Sequence, residues 1–284
     1  MLEPEKELGQ ETQQLTMEEA ITSNVAQAIA NLRHADTSLR YYAAWWLGKF
    51  RIHNPEAVEV LIACLTDEAD RTELGGYPLR RNAARALGKM GDPRAVPGLI
   101  TCLECSDFYV RECAAEALGQ LKDISCVPDL VRLLAGGVSG ATQVPGRPHL
   151  KEPYEVVMAA LGNLQATQAQ ELIQPFLEHS LPKIRYGAAR AMYQFTGDDR
   201  YGKILVAGLQ DKDIKLRRII LRNLGEIGYL PGGGAIAKAA TESSFKLIAL
   251  KGLLDHQLES DDQQGLDILS PGAIDLMALM DSLL

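Results

Sequence analysis

Residues 39–50 read LRYYAAWWLGKF, and their pattern returns as LRRNAARALGKM (79–90), VRECAAEALGQL (110–121), PYEVVMAALGNL (153–164), IRYGAARAMYQF (184–195) and LRRIILRNLGEI (216–227). Small and apolar residues recur at helical period in every copy. A short turn and a second apolar-periodic helix follow, most clearly in AVEVLIACL (57–65), AVPGLITCL (95–103) and CVPDLVRLL (126–134). The residue before each glycine position gives the period: Leu47, Leu87, Leu118, Leu161, Met192 and Leu224 lie 40, 31, 43, 31 and 32 residues apart. The unit is therefore about 31 residues with two insertions. One helix pair cannot bury its apolar stripe alone, so stacked units must share one continuous core.

The pattern (L/V)R-x-x-A-A-x-A-L-G followed by L-x-x-L-L resembles short HEAT-like repeats. It implies an all-α fold, a right-handed α-superhelical solenoid of about six two-helix repeats plus caps. Residues 1–15 are expected to be a disordered acidic tail and 16–257 the solenoid. Residues 258–284 are expected to be a linker and a C-terminal amphipathic helix. Thr16 and Glu19 have capping-box spacing, which predicts a helix over 17–33. Another helix is expected near 242–257, before the polar stretch ESDDQQG (259–265). The final stretch, PGAIDLMALMDSLL (271–284), forms a short amphipathic helix, open to docking on this chain or on a partner.

With 29 Lys and Arg against 37 Asp and Glu, the net charge of −8 disfavours nucleic-acid binding. No apolar run approaches the ~20 residues of a membrane span. The polar, acidic N-terminus lacks the pattern of a signal or transit peptide, so the cytoplasm is the expected location and membrane insertion is not expected. Five cysteines, an odd number, argue against a disulfide framework. Cys102 and Cys105 form a CxxC without further zinc ligands at suitable spacing, and all five read as small core residues.

The repeats act as an internal control on the aromatic-rich first copy. The Tyr41 position is Arg81, Glu112, Glu155, Tyr186 and Arg218 elsewhere; the Trp45 position is Arg85, Glu116, Ala159, Arg190 and Arg222. Both are mostly charged and sit one turn apart, so they are expected to face outward. The Trp46 position is otherwise Ala86, Ala117, Ala160, Ala191 and Asn223, an inward one, so Trp46 is read as core against the N-terminal helix. Tyr42 is expected to be intermediate. Tyr41 and Trp45 are either covered by residues 1–30 or form a contact surface for another protein. The arginines at the second repeat position (Arg40, Arg80, Arg111, Arg185 and Arg217) read as structural, paired with a turn aspartate such as Asp92 or Asp123.

The insertions, DEADRTELGGYPLRR (67–81) and GGVSGATQVPGRPHLKEPYE (136–155), each lie between a second helix and the next first helix. They are expected to emerge along one edge, where long loops on a rigid scaffold carry sites. The first offers Arg71, Glu73, Tyr77, Arg80 and Arg81; the second offers Arg147, His149, Lys151 and Tyr154. Arginine and lysine clamp carboxylates, and His149 or Glu73 is a candidate for proton transfer. No Ser-His-Asp, Cys-His or metal-ligand set is apparent. PGGGAIAK (231–238) lacks the Lys-Ser/Thr step of a phosphate loop and reads as a turn.

LRYYAAWWLGKFR (39–51), GGYPLRRNAARALGKMGD (75–92), PGRPHLKEPYE (145–155) and IRYGAARAMYQFTGD (184–198) resemble the E subunit of the E/F-type phycobilin lyases. The resemblance covers most of 17–255, the inserted loops included. It implies one subunit of a heterodimeric lyase whose partner is a second HEAT-like chain, the F subunit. The reaction implied is attachment of phycocyanobilin, a substrate rather than a resident cofactor, to a cysteine of the phycocyanin α subunit. The acceptor's thiol would join the ethylidene carbon of ring A as a thioether. In that setting Arg71, Arg80, Arg147 and Lys151 are candidates to hold the bilin propionates. Tyr77 and Tyr154 are candidates to flank the tetrapyrrole, and Glu73 or His149 to protonate it. The alternative is a non-catalytic HEAT adaptor or chaperone for phycobiliprotein assembly or turnover.

Overall fold

The computed structural model describes residues 17–263 and 268–284; the expected tail at 1–15 and the capping residue Thr16 lie outside them. In chain order the helices are α1 (Met17–Leu32), α2 (Thr37–Lys49), α3 (Pro55–Cys64), α4 (Pro78–Met90), α5 (Val96–Cys102) and α6 (Phe108–Leu121). Next come α7 (Val127–Leu133), α8 (Gly137–Gly140), α9 (Tyr154–Asn163), α10 (Gln170–Ile173) and α11 (Pro182–Thr196). Then follow α12 (Asp199–Gly208), α13 (Ile214–Glu226), α14 (Gly233–Lys238), α15 (Ser243–Gln263) and α16 (Pro271–Asp281). The first helices of the six repeats are α2, α4, α6, α9, α11 and α13, and α15 adds a further layer against α13. The second helices are α3, α5, α7, α10, α12 and α14. PGGGAIAK is not merely a turn: its glycines open α14. Helix α15 runs through the stretch expected to be a linker as far as Gln263. Helix α16 docks on this chain, against α14 and α15, through Ala273 and Leu276.

The repeat has a steric cause. A Cβ placed on Gly48 would sit 2.7 Å from the Cα of Ala86; on Gly88, 2.7 Å from that of Ala117; on Gly119, 2.8 Å from that of Ala160. Each Leu-Gly step thus receives the small residue of the next first helix, and successive first helices approach backbone to backbone. Tyr193 occupies the glycine position of the fifth copy and Asn223 the alanine position of the sixth. At this junction α13 packs more closely on α15 than on α11. The core divides here into two apolar clusters, where one continuous core was expected. Polar groups fill the gap. Buried Arg190 bonds Asn163 at 3.0 Å, Asn223 at 3.3 Å and Glu226. Arg190 Nε, Gln194 Oε1 and Asn223 Nδ2 find no partner among the described residues.

The second-position arginines are structural; Arg40 pairs with a loop aspartate as expected, Asp67 at 2.5 Å, but Asp92 and Asp123 are not the partners of the others. Asp92 and Asp123 cap short 3₁₀ turns by accepting from the backbone N–H of Arg94 and Ser125, both at 2.9 Å. What the arginines share is donation to carbonyls at and just beyond the ends of preceding helices. Arg40 reaches Leu32 O at 3.0 Å, Arg80 reaches Asp67 O at 2.8 Å, Arg185 reaches His179 O at 2.8 Å and Arg217 reaches Lys212 O at 3.1 Å. Helix C-termini leave such carbonyls unpaired and carry the negative end of the dipole.

The first repeat's aromatics divide much as its neighbours suggest. Tyr41 is 37% exposed and Trp45 48%. Trp46 is half-buried, packing on the core and on Phe50 at 5.2 Å. Tyr42, expected to be intermediate, is 63% exposed. The outward reading of these two repeat positions fails further along, because neighbouring side chains close over them. Glu155, Tyr186 and Arg190 are buried.

Candidate functional site: a two-chambered cleft under the inserted loops

Each insertion is shaped by its own glycines and prolines. In the first, Gly75 N–H donates to Thr72 O at 2.9 Å and Gly75 has φ +80°, closing a turn with Glu73 and Leu74 at its tip. In the second, Val144-Pro145-Gly146-Arg147 is a tight turn closed by Arg147 N–H on Val144 O at 3.0 Å. Gly146 takes φ +72°, a left-handed value suited to glycine at the third position. The turn caps a short hairpin in which Gln143 pairs with Leu150.

Two residues fasten both loops to the start of α6. Asp107, its side chain 4% exposed, is the N-cap of α6 and accepts from Tyr109 N–H at 2.9 Å. Its other oxygen accepts from Tyr77 N–H at 2.9 Å and from Arg81 Nε and Nη2 at 2.8 and 2.6 Å. That holds the first loop. Arg111, one turn on, donates to Cys105 O at 2.6 Å, Lys151 O at 2.6 Å and Glu152 at 2.9 Å, which holds the second.

Between the loops the surface opens into two chambers that share Phe108, Tyr109 and His149. His149 stacks on Phe108 with centroids 4.2 Å apart and planes at 9°, and meets the edge of Tyr109 at 5.6 Å. Its Nδ1 lies 2.8 Å from Leu150 O. A carbonyl only accepts, so the Nδ1–H donates, and Nε2 has no partner among the described residues. The outer chamber, about 560 Å³, is bordered by Arg81, Arg111, Arg147 and Lys151. The inner chamber, about 330 Å³, is lined by Leu150, Tyr154, Val156, Leu181, Ile184 and Leu216, with Glu112, Glu152, Glu155 and Lys183 among them. Both volumes suit small-molecule sites, about 300–1,000 Å³.

Of the residues singled out in the sequence, Arg147, His149 and Lys151 line the outer chamber together. Arg71 and Glu73 are exposed and border neither chamber. Arg80 is held against Thr66 O, Asp67 O and Glu68, with its guanidinium 3.9 Å from the Tyr77 ring centroid. Tyr77 is 5% exposed and Tyr154 2%, so neither ring presents a face for stacking; Tyr154 enters only the wall of the inner chamber. Sequence reasoning did not single out Asp107, Phe108, Tyr109, Glu112 or Lys183. It noticed Arg81 and Arg111, but gave neither a role in the site. One signal was readable: Phe108-Tyr109 is the only pair of adjacent aromatics at its place in the six repeats.

None of the chain's five cysteines lines either chamber, and Cys105, read from the sequence as a core residue, is only half-buried. Cys64, Cys102, Cys113 and Cys126 are buried. Burial pushes the thiols of Cys102 and Cys113 up to about 12 and that of Cys126 up to about 11, so none of these three is a thiolate at neutral pH. A thiol reacting in this cleft has to come from another molecule. No helix among the described residues is long and apolar enough to cross a membrane.

Comparison with known proteins agrees with this architecture. Residues 39–67 match the PBS lyase HEAT-like repeat and residues 76–141 the HEAT repeats. The chain is 60% identical over 257 residues to the phycocyanobilin lyase subunit alpha of Nostoc sp. (strain PCC 7120), covering 90% of this chain and 92% of that one. It is 53% identical to the protein of that name from Synechocystis sp., covering 91% and 95%. It is 39% identical to the bilin biosynthesis protein PecE of Mastigocladus laminosus, covering 84% and 83%. A solved structure, the complex of CpcE and CpcF of phycocyanin lyase from Nostoc sp. PCC7120, contains a chain that superposes with a TM-score of 0.84 at 56% identity over 100% of both chains. With this identity running nearly end to end, the chain belongs to the phycocyanobilin lyase alpha-subunit family.

Proposed function

We propose that this chain is one subunit of a heterodimeric bilin lyase, working in the cytoplasm with an F-type partner. It attaches phycocyanobilin through a thioether to a cysteine of the phycocyanin α subunit. The observation that carries this reading is the convergence of both insertions on one cleft with a cationic outer chamber and a largely apolar inner one. A bilin has the matching chemistry: a flat conjugated tetrapyrrole for the inner chamber and two propionates for Arg147 and Lys151. His149, stacked and with a free Nε2, stands where the two meet. The acceptor protein supplies the thiol, in keeping with a cleft that no cysteine of this chain lines.

The test is an absorption and acid-urea assay with this chain, the F-type partner, apo-α-phycocyanin and phycocyanobilin, omitting each protein in turn. A thioether adduct that needs both chains supports the reading; binding of phycobiliprotein with no gain in covalent attachment favours an adaptor. The double variant Arg147→Ala, His149→Ala is expected to cut transfer at least tenfold while the melting temperature falls by only about 2–5 °C, since Arg147 is exposed and His149 contributes one aromatic stack. Unchanged transfer would remove the second loop from the site.

Tyr41 and Trp45 form an exposed aromatic pair, with Lys49 Nζ 4.7 Å from the Trp45 ring centroid. We assign them to contact with the partner subunit or acceptor. Trp45→Ala is expected to weaken that association at least tenfold, about 1.4 kcal/mol or more, in a sedimentation or calorimetric titration, with an unchanged melting curve. Loss of the fold instead would mean that the pair supports this chain itself.

A further inference from the structure

Three carboxylates line the inner chamber, and two are committed. Glu155, itself buried, pairs with Lys183 at 2.6 Å and faces Arg222 at 3.9 Å. Glu152 pairs with Arg111 at 2.9 Å. Glu112 has no hydrogen bond or ion pair among the described residues, although it stands on the same wall one turn beyond Phe108. A half-buried carboxyl in a largely apolar chamber, with no hydrogen-bonded or ion-paired partner, is free to meet a ligand, and a tetrapyrrole offers it pyrrole N–H donors and a basic ring nitrogen.

We infer that Glu112 is a catalytic residue that protonates the bilin, an assignment that rests on the bilin-lyase reading of the cleft. The neutral Glu112 carboxyl gives its proton to a ring nitrogen, and the positive charge spreads along the conjugated system to the ethylidene group. The acceptor's thiolate sulfur then forms a bond to the ethylidene carbon. The C=C π pair moves into the ring system and neutralises it. The proton on the ring nitrogen then passes to the former double-bond carbon of ring A, and the proton lost by the thiol restores Glu112. The sum is addition of S–H across one C=C bond, with nothing oxidised or reduced.

Burial sets Glu112 up for this role. It pushes the carboxyl above its ordinary range, assisted by Glu116 on the same helix and opposed by Lys183 from α11, Arg85 from α4 and Arg222 from α13. A carboxyl raised on folding destabilises the native state as pH rises from its unfolded value through its folded one. Glu112→Gln is therefore expected to melt at or above the parent at pH 7, with the difference closing toward pH 4. That behaviour separates a poised acid from a structural contact.

The deciding experiment uses the complex of this chain with its F-type partner and phycocyanobilin as probe, without acceptor. The parent complex is expected to show the red-shifted, intensified band of a protonated bilin. Glu112→Gln is expected to bind phycocyanobilin within about threefold of the parent, to lack that band and to transfer bilin to apo-α-phycocyanin about 100-fold more slowly, in the range of general acid catalysis. Retention of the band and the rate by Glu112→Gln overturns the assignment. Should Glu112→Gln not fold, Glu112→Asp is expected to weaken the band and slow transfer at least tenfold, and parent-like behaviour overturns it equally. A parent complex that binds no phycocyanobilin refutes the lyase reading itself, and the role of Glu112 with it.

Discussion

Asp107→Ala is expected to cost about 3–5 kcal/mol of stability and to abolish bilin transfer, measured by urea denaturation and by the acid-urea assay. One carboxylate accepts four hydrogen bonds here: two from Arg81, one from Tyr77 N–H and one from Tyr109 N–H. Removing it leaves the Arg81 guanidinium, itself only 26% exposed, unmatched and uncaps α6. Breaking a buried pair from one side falls in this energy range because the remaining charge stays desolvated. Loss of an N-cap adds about 1 kcal/mol. The functional loss follows from position, since Asp107 ties the first loop to the helix that carries Phe108, Tyr109 and Glu112. Asp107→Asn keeps an acceptor for the cap while losing the charge, and is expected to recover roughly half of the stability. A variant as stable as the parent would show that the loop is held by other contacts.

Gly88→Ala is expected to lower the melting temperature by about 5–10 °C, a destabilisation of about 2–3 kcal/mol. The added methyl would lie 2.7 Å from the Cα and 2.8 Å from the Cβ of Ala117, and the obstruction is backbone rather than a movable side chain. Helices α4 and α6 must separate, and every contact along their shared face is stretched. The same change at Gly234, where a Cβ meets nothing within 4 Å, is expected to stabilise by about 0.4–1 kcal/mol through the unfolded chain. Opposite signs for one chemical substitution isolate helix approach as the cause. Equal effects at the two positions would refute it.

The sequence carried the repeat, its two interruptions and the all-α solenoid, because the Leu-Gly step and its facing alanine are local signatures of close helix stacking. It also made the outward Tyr41 and Trp45 readable by comparison among copies. Arg147, His149 and Lys151 were legible for another local reason: a Pro-Gly turn and a hairpin present them on one short loop. The tertiary structure alone decided which residues of the first loop reach the cleft. Glu73 falls at a turn tip, Arg80 is held by carbonyls, and Tyr77 is covered, outcomes set by contacts with Asp67, Glu68 and Asp107. It alone brought Phe108, Tyr109 and Glu112 beside loops attached to other repeats. Spacing along a helix reports which side chains share a face. Which face becomes a chamber depends on what folds over it, and here that was decided by Asp107 and Arg111 bonding to residues about 30 and 40 positions away in the chain.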